Sequence, residues 1–117
     1  MDIKRYEGNG RMSKAVVHNG VIYLSGQIMH DAGEGDCVIK QTQVVLEKIE
    51  QLLQKYGSGK DKLLTALIHL KDISLWAEMN TVWDKWIAPG HEPVRTTVQS
   101  ALAGEHMLVE VTVTAAV

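Results

Sequence analysis

Lys62-Leu63-Leu64-Thr65-Ala66-Leu67-Ile68-His69-Leu70-Lys71 decides the architecture of this chain. Two lysines bracket a run that holds no carboxylate and no other lysine or arginine. Its length and its boundaries predict a strand over Lys62 to Lys71. Side chains alternate across a strand, so Leu64, Ala66, Ile68 and Leu70 share one wholly apolar face. Leu63, Thr65, Leu67 and His69 share the other, which is half apolar. A strand that is apolar on both sides is buried on both. A short chain with few helices cannot cover both, so the second face is expected to meet another subunit.

Working outward, each flank of this strand reads as a helix. Upstream, Val38, Val45, Ile49 and Leu52 recur at helical spacing over Val38 to Tyr56, and Leu46 and Leu53 widen the stripe. Gln41, Glu47, Lys48, Glu50 and Gln54 fill the other face, and Gly57 and Gly59 stop the helix. Downstream, Leu75 to Trp86 carries a stripe of Leu75, Met79, Val82 and Trp86, with Trp76 and Trp83 alongside. Asp72 or Ser74 can cap it. The three tryptophans read as core, with Trp83 the one placed to look into a pocket.

Further out lie strands. Ala15 to His18 and Val21 to Gly26 flank Asn19-Gly20, the strongest short hairpin signal. A glycine-rich acidic loop follows at Asp31 to Asp36. Pro93 to Leu102 and Met107 to Val117 close the chain, with Ala103-Gly104-Glu105 as the expected turn. Pro89 and Pro93 bracket a loop. The predicted order is ββαβαββ, with room for a further strand near Ile3. That mixture predicts an α+β domain spanning residues 1–117, with its helices on one face of the sheet.

Composition narrows the function. The chain has 117 residues, 45% hydrophobic and 22% charged, with a formal net charge of -2. No Lys/Arg block dominates any segment, which speaks against nucleic-acid binding. Cys37 is the only cysteine, which excludes an intrachain disulfide and fits a reducing compartment. The opening Met1-Asp2-Ile3-Lys4-Arg5 lacks an apolar run, so no secretory leader is expected. No stretch approaches the roughly 18 apolar residues of a membrane span, and a cytoplasmic location is expected.

The last two strands hold the candidate chemistry. Arg95, Thr97 and Gln99 share one face of the first. Leu108, Glu110, Thr112 and Thr114 share one face of the second. A turn centred between Ala103 and Gly104 pairs Thr97 with Glu110 and Arg95 with Thr112. Arg95 and Glu110 are then diagonal neighbours on one polar face. Such a pair is either an exposed cross-strand ion pair of little energetic weight or a site. In a site, an arginine fork binds a carboxylate and a nearby glutamate deprotonates a water. The five histidines are scattered without HxxxH or HxH spacing, so no metal centre is expected. Gly26, in Ser25-Gly26-Gln27, lets backbone N–H groups approach a ligand.

Several segments together resemble one family. Tyr23-Leu24-Ser25-Gly26-Gln27-Ile28 resembles its strand ending in SGQ. Gln41-Thr42-Gln43-Val44-Val45-Leu46-Glu47-Lys48-Ile49 resembles its first helix, and Met79-Asn80-Thr81-Val82-Trp83 its second. Pro93-Val94-Arg95-Thr96-Thr97-Val98-Gln99 and Leu108-Val109-Glu110-Val111 resemble its C-terminal signature. The family is YjgF/RidA, also labelled L-PSP endoribonuclease.

The resemblance implies a chorismate-mutase-like fold, a homotrimer and ligand clefts between subunits. It implies hydrolysis of reactive enamines and imines, released by pyridoxal-phosphate enzymes, to 2-keto acids and ammonia. That is metabolite damage control, and the deaminase itself uses no cofactor. By position, Arg95 would clamp the substrate carboxylate and Glu110 would orient or activate water. The Gly26 backbone and the Thr97 side chain would help hold the ligand. The family's GPYSQA motif appears here as Gly10-Arg11-Met12-Ser13-Lys14-Ala15, so Met12 stands where a pocket tyrosine is expected. The loop from His30 to Asp36 is also shortened. A non-catalytic trimer that binds or senses a small carboxylate is the alternative. Nothing in the charge pattern supports RNA cleavage.

Overall fold

A computed structural model describes residues 2–117. Its strands are β1 (Lys4–Tyr6), β2 (Ala15–His18), β3 (Val21–Leu24), β4 (Leu63–Leu70), β5 (Val94–Gln99) and β6 (Val109–Ala116). Its helices are α1 (Val38–Lys55) between β3 and β4, and α2 (Trp76–Trp86) between β4 and β5. All six strands join one mixed sheet in the order β1-β2-β3-β6-β4-β5. Both helices pack on one face of it, giving the expected α+β architecture, and β1 is the further strand near Ile3.

Local signals hold well. Asn19 and Gly20 both take positive φ, 52° and 76°, as a tight turn matched to strand twist requires. Gly57, after the capping residue Tyr56, takes φ 84°, a conformation that costs glycine little and ends α1. Asp72 accepts a hydrogen bond from the Ser74 N–H at 2.8 Å and caps a single turn of 3₁₀ helix that leads into α2.

The predicted C-terminal hairpin does not form. β5 pairs in parallel with β4, and β6 pairs antiparallel with the other side of β4, so β4 separates the last two strands. The physical reason lies in β4 itself. Its two-sided apolar character favours an interior place, whereas β5 alternates polar and apolar residues and suits an edge. Residues 100–108 cross the end of β4 and are tied to it. The Ser100 N–H donates to the Leu70 carbonyl at 2.9 Å, and the Lys71 N–H donates to the Leu108 carbonyl at 3.0 Å. Buried Gln41 of α1 secures the crossing. Its Nε2 donates to the Asp36 and His106 carbonyls at 2.8 and 2.9 Å, and its Oε1 accepts from the Leu108 N–H at 2.9 Å.

A second correction concerns β4. A register shift between Leu63 and Thr65 makes Leu64 an extra residue. Leu63 therefore turns into the core at 7% exposure, while Leu64 stands out at 43%. The core lies between sheet and helices. Ile22, Ala66, Ile68, Leu70, Val109, Val111 and Val113 meet Val45, Ile49 and Leu53 of α1 and Met79 and Trp83 of α2. Trp76, in the first turn of α2, stays outside it.

The opposite face carries no helix. Tyr23, Leu67, Val94 and Val98 are exposed there, beside Thr65, Thr112 and Thr114. Its apolar share matches the two-sided pattern of β4 noted above.

Candidate functional site

The strand order sends Arg95 and Glu110 to opposite sides of the sheet. Arg95 pairs with Ala66, and Ala66 pairs with Val113, so Arg95 shares the helix-covered side. Glu110 pairs with His69, and His69 pairs with Val98, on the uncovered side. The diagonal pair expected from a hairpin is therefore absent, because the intervening strand removes the contact and the pleat opposes the side chains. The residues singled out in the sequence instead form two groups.

The first group surrounds Glu110. Beyond β3, Gln27 bridges to Val111, with its N–H donating to the Val111 carbonyl at 2.8 Å and its carbonyl accepting from the Val111 N–H at 3.1 Å. The Gln27 side chain folds back, its Nε2 donating to the Ser25 carbonyl at 3.0 Å and to Ser25 Oγ at 3.2 Å. These bonds press the Gly26 backbone against β6. A Cβ on Gly26 would overlap Glu110 Oε2, and it would lie 2.9 Å from Glu110 Cδ and 3.0 Å from Thr112 Oγ1. The carboxylate thus occupies space that only glycine leaves open. The requirement here is room rather than an unusual backbone angle.

Met12, Ser25, Gly26, Gln27 and Glu110 line one cleft of about 770 Å³. Met12 is held at its mouth by Asn9, whose Oδ1 accepts from the Arg11 and Met12 N–H groups at 3.0 and 2.9 Å. Lys48 reaches from α1 and donates to the Ile28 carbonyl at 2.8 Å, fixing the segment after Gln27. In sequence, Lys48 reads as one more solvated helix residue, and no local signal marks its role. Glu7 also borders the cleft. It accepts from Lys55 Nζ at 3.1 Å and from the Tyr56 hydroxyl, and Lys14 Nζ stands 3.8 Å away. The Tyr56 bond, with Lys55 assisting, holds the Glu7 carboxyl below its ordinary value.

The second group surrounds Arg95 at the β5 edge. Arg95 Nη1 donates to Asn80 Oδ1 at 2.8 Å. Its guanidinium lies 5.3 Å from the centroid of the Trp83 ring, within cation–π range. Trp83 in turn packs 5.7 Å from Trp86. Burial lowers the Arg95 pKa, and the charge of Asp84 partly offsets this. Thr97 sits two residues along on the same side, and its Oγ1 is buried without a hydrogen-bond partner. The sequence placed Trp83 by a pocket; the structure places it beneath Arg95. The one arginine nitrogen bonded to Asn80 leaves the rest of the fork for an anion.

Among the described residues, no group of three or more His, Cys, Asp and Glu side chains could hold a metal ion. Among the same residues, no helix is long and apolar enough to cross a membrane.

The model of the family described as endoribonuclease L-PSP matches residues 3–117. The chain is similar to the RutC family protein YoaB of Escherichia coli (strain K12), at 38% identity over 117 residues and 100% of both chains. A RutC family protein of Haemophilus ducreyi is 35% identical over 115 residues, 98% of this chain and 97% of that one. Among solved structures, NMB1025 of Neisseria meningitidis, a member of the YjgF protein family, superposes with a TM-score of 0.93. That pair is 40% identical, and the match covers 99% of this chain and 95% of the other.

Proposed function

The chain belongs to the YjgF/RidA family, the family of the endoribonuclease L-PSP model, and from that premise we propose that it hydrolyses small reactive 2-imino acids to 2-keto acids and ammonia. The observation that carries this reading is the separation of two complementary half-sites on opposite sides of one sheet. One half offers a partly buried cation for the substrate carboxylate. The other offers a carboxylate beside glycine backbone, in a cleft open to water. Neither half suffices alone, and one chain cannot bring its own pair together.

A homotrimer resolves the geometry. Arg95 on the edge strand of one copy would face Glu110 of the next, so each cleft between copies holds a complete site. The exposed Leu67, Val94 and Val98 on the uncovered side supply apolar surface for that contact. Thr97 Oγ1, buried and unpartnered, would donate to the ligand. The carbon of an imine is already electrophilic. Positioning and one base therefore serve for attack by water without a covalent intermediate. Met12, in place of a hydroxyl-bearing side chain, makes the cleft mouth more apolar and favours substrates with apolar side chains.

The test is decay of an imine formed in situ by an amino-acid oxidase. Wild-type protein is expected to accelerate it, and Arg95→Ala to lose roughly 10²-fold in kcat/KM, mainly through KM. Mixing Arg95→Ala and Glu110→Gln subunits in equal amounts, then reassembling them, is expected to restore roughly a quarter of wild-type activity, because randomly assembled copies regenerate that share of intact clefts. No acceleration by wild type, with binding of a small 2-keto acid that depends on Arg95, would instead mark a carboxylate-binding protein.

A further inference from the structure

We propose that His69 is a general acid opposite Glu110, delivering a proton to the imine nitrogen while Glu110 takes one from water. The proposal rests on the imine-hydrolysis reading. His69 and Glu110 are direct partners in the antiparallel pairing of β4 with β6. Their Cα atoms are therefore about 4.5–5.5 Å apart, and their side chains leave the sheet on the same uncovered face. The carboxylate leans toward Gly26, on the β3 side. The imidazole is drawn the other way, with Nδ1 3.0 Å from Ser100 Oγ. Ser100 is itself anchored by its N–H to the Leu70 carbonyl at 2.9 Å. The two polar heads thus diverge, and a small planar group bound between them would meet both.

The serine bond fixes the ring and occupies one nitrogen. Nε2 hydrogen-bonds no other described residue and remains for a ligand. The neighbours on this face, Leu67, Val98 and Thr112, carry no charge. Glu110, the direct cross-strand partner of His69, is the carboxylate beside the imidazole in the register. The arrangement sets a base and an acid on the two sides of one reacting carbon.

The step balances as follows. Glu110 takes a proton from water as the oxygen bonds to C2, and the C=N π pair moves to nitrogen, which takes the Nε2 proton of His69. Protonated Glu110 then gives its proton to the same nitrogen. The new hydroxyl returns a proton to His69 as the C–N bond breaks, releasing ammonia and the 2-keto acid. Glu110 ends as carboxylate and His69 as imidazolium, as they began.

The test uses the imine assay on wild type, His69→Gln and His69→Phe, with thermal melting as the check on folding. His69→Gln keeps a polar group for Ser100 but transfers no proton. Both variants are expected to lose about 10²-fold in kcat, with KM changed less than about threefold. His69→Ala is expected to regain rate when free imidazole is added. Full kcat in His69→Gln, or no gain from imidazole, would overturn the role of His69 and leave the hydrolase reading intact. No acceleration by wild type would overturn both together.

Discussion

Glu110 holds its place through a missing side chain, and Arg95 through two that are present. At the Gly26 corner the polypeptide is stripped to backbone so that a carboxylate can settle against it. At the β5 edge, Asn80 and Trp83 grip the guanidinium from α2. One region is made by subtraction, and added bulk there must displace the carboxylate. The other is made by contacts and degrades by degrees as they are removed. A single sheet carries both because β4 keeps the strands that bear them apart.

Substitutions at the two regions should therefore differ in size and in kind. Glu110→Gln keeps the shape of the corner and removes the carboxylate proposed as the base. It should cost 10²–10⁴-fold in kcat with little change in KM, read in the imine assay. Gly26→Ala should cost about 10-fold or more in kcat by displacing the carboxylate. Its stability loss should stay below about 1 kcal/mol in denaturant titration, because the atoms it displaces are the movable ends of the Glu110 and Thr112 side chains. A larger drop in stability than in activity would mean that the corner is a packing feature. Asn80→Ala frees the Arg95 fork from one charge-assisted hydrogen bond, a class worth about 1.5–3 kcal/mol. It should raise KM several-fold and leave kcat near the wild-type value.

The smallest expected effect is at the cleft wall. The Glu7 carboxyl is held below its ordinary value by Tyr56 and Lys55, so its contribution is present above the ordinary carboxylate range and is lost as pH falls through the lowered value. The protection of β1 amides, taken relative to intrinsic exchange at each pH, should fall in acid, and Glu7→Gln should remove that dependence. Equal acid sensitivity in the variant would assign the loosening to another group.

The contrast between the two regions also shows what sequence reading reaches. The helices and the Asn19-Gly20 turn were legible because their signals are local: a 3.6-residue stripe, or two residues with positive φ. Sheet order was not, since proximity in sequence favoured a hairpin where β4 in fact intervenes. The extra residue at Leu64 hid for the same reason: strict alternation has no way to announce a register shift. Within the site, Met12, Gly26 and Glu110 do meet in one cleft, and Arg95, Thr97 and Trp83 do gather at another edge. Period-two parity along β5 and β6 was correct, and the sign relating one of them to the other was wrong. Lys48 and Glu7 were illegible, because each acts on a segment distant in sequence.

The position of β6 has a consequence for synthesis. Every other strand of the sheet precedes it in the chain, yet it lies between β3 and β4. A ribosome delivers those two strands with nothing to join them, each showing an unpaired edge. The nascent chain can shape its hairpin and its helices early, but the sheet closes only when its sixth strand emerges and slots into the gap. Until that moment the exposed edges are open to pairing with other chains, and protection by chaperones counts most in that interval.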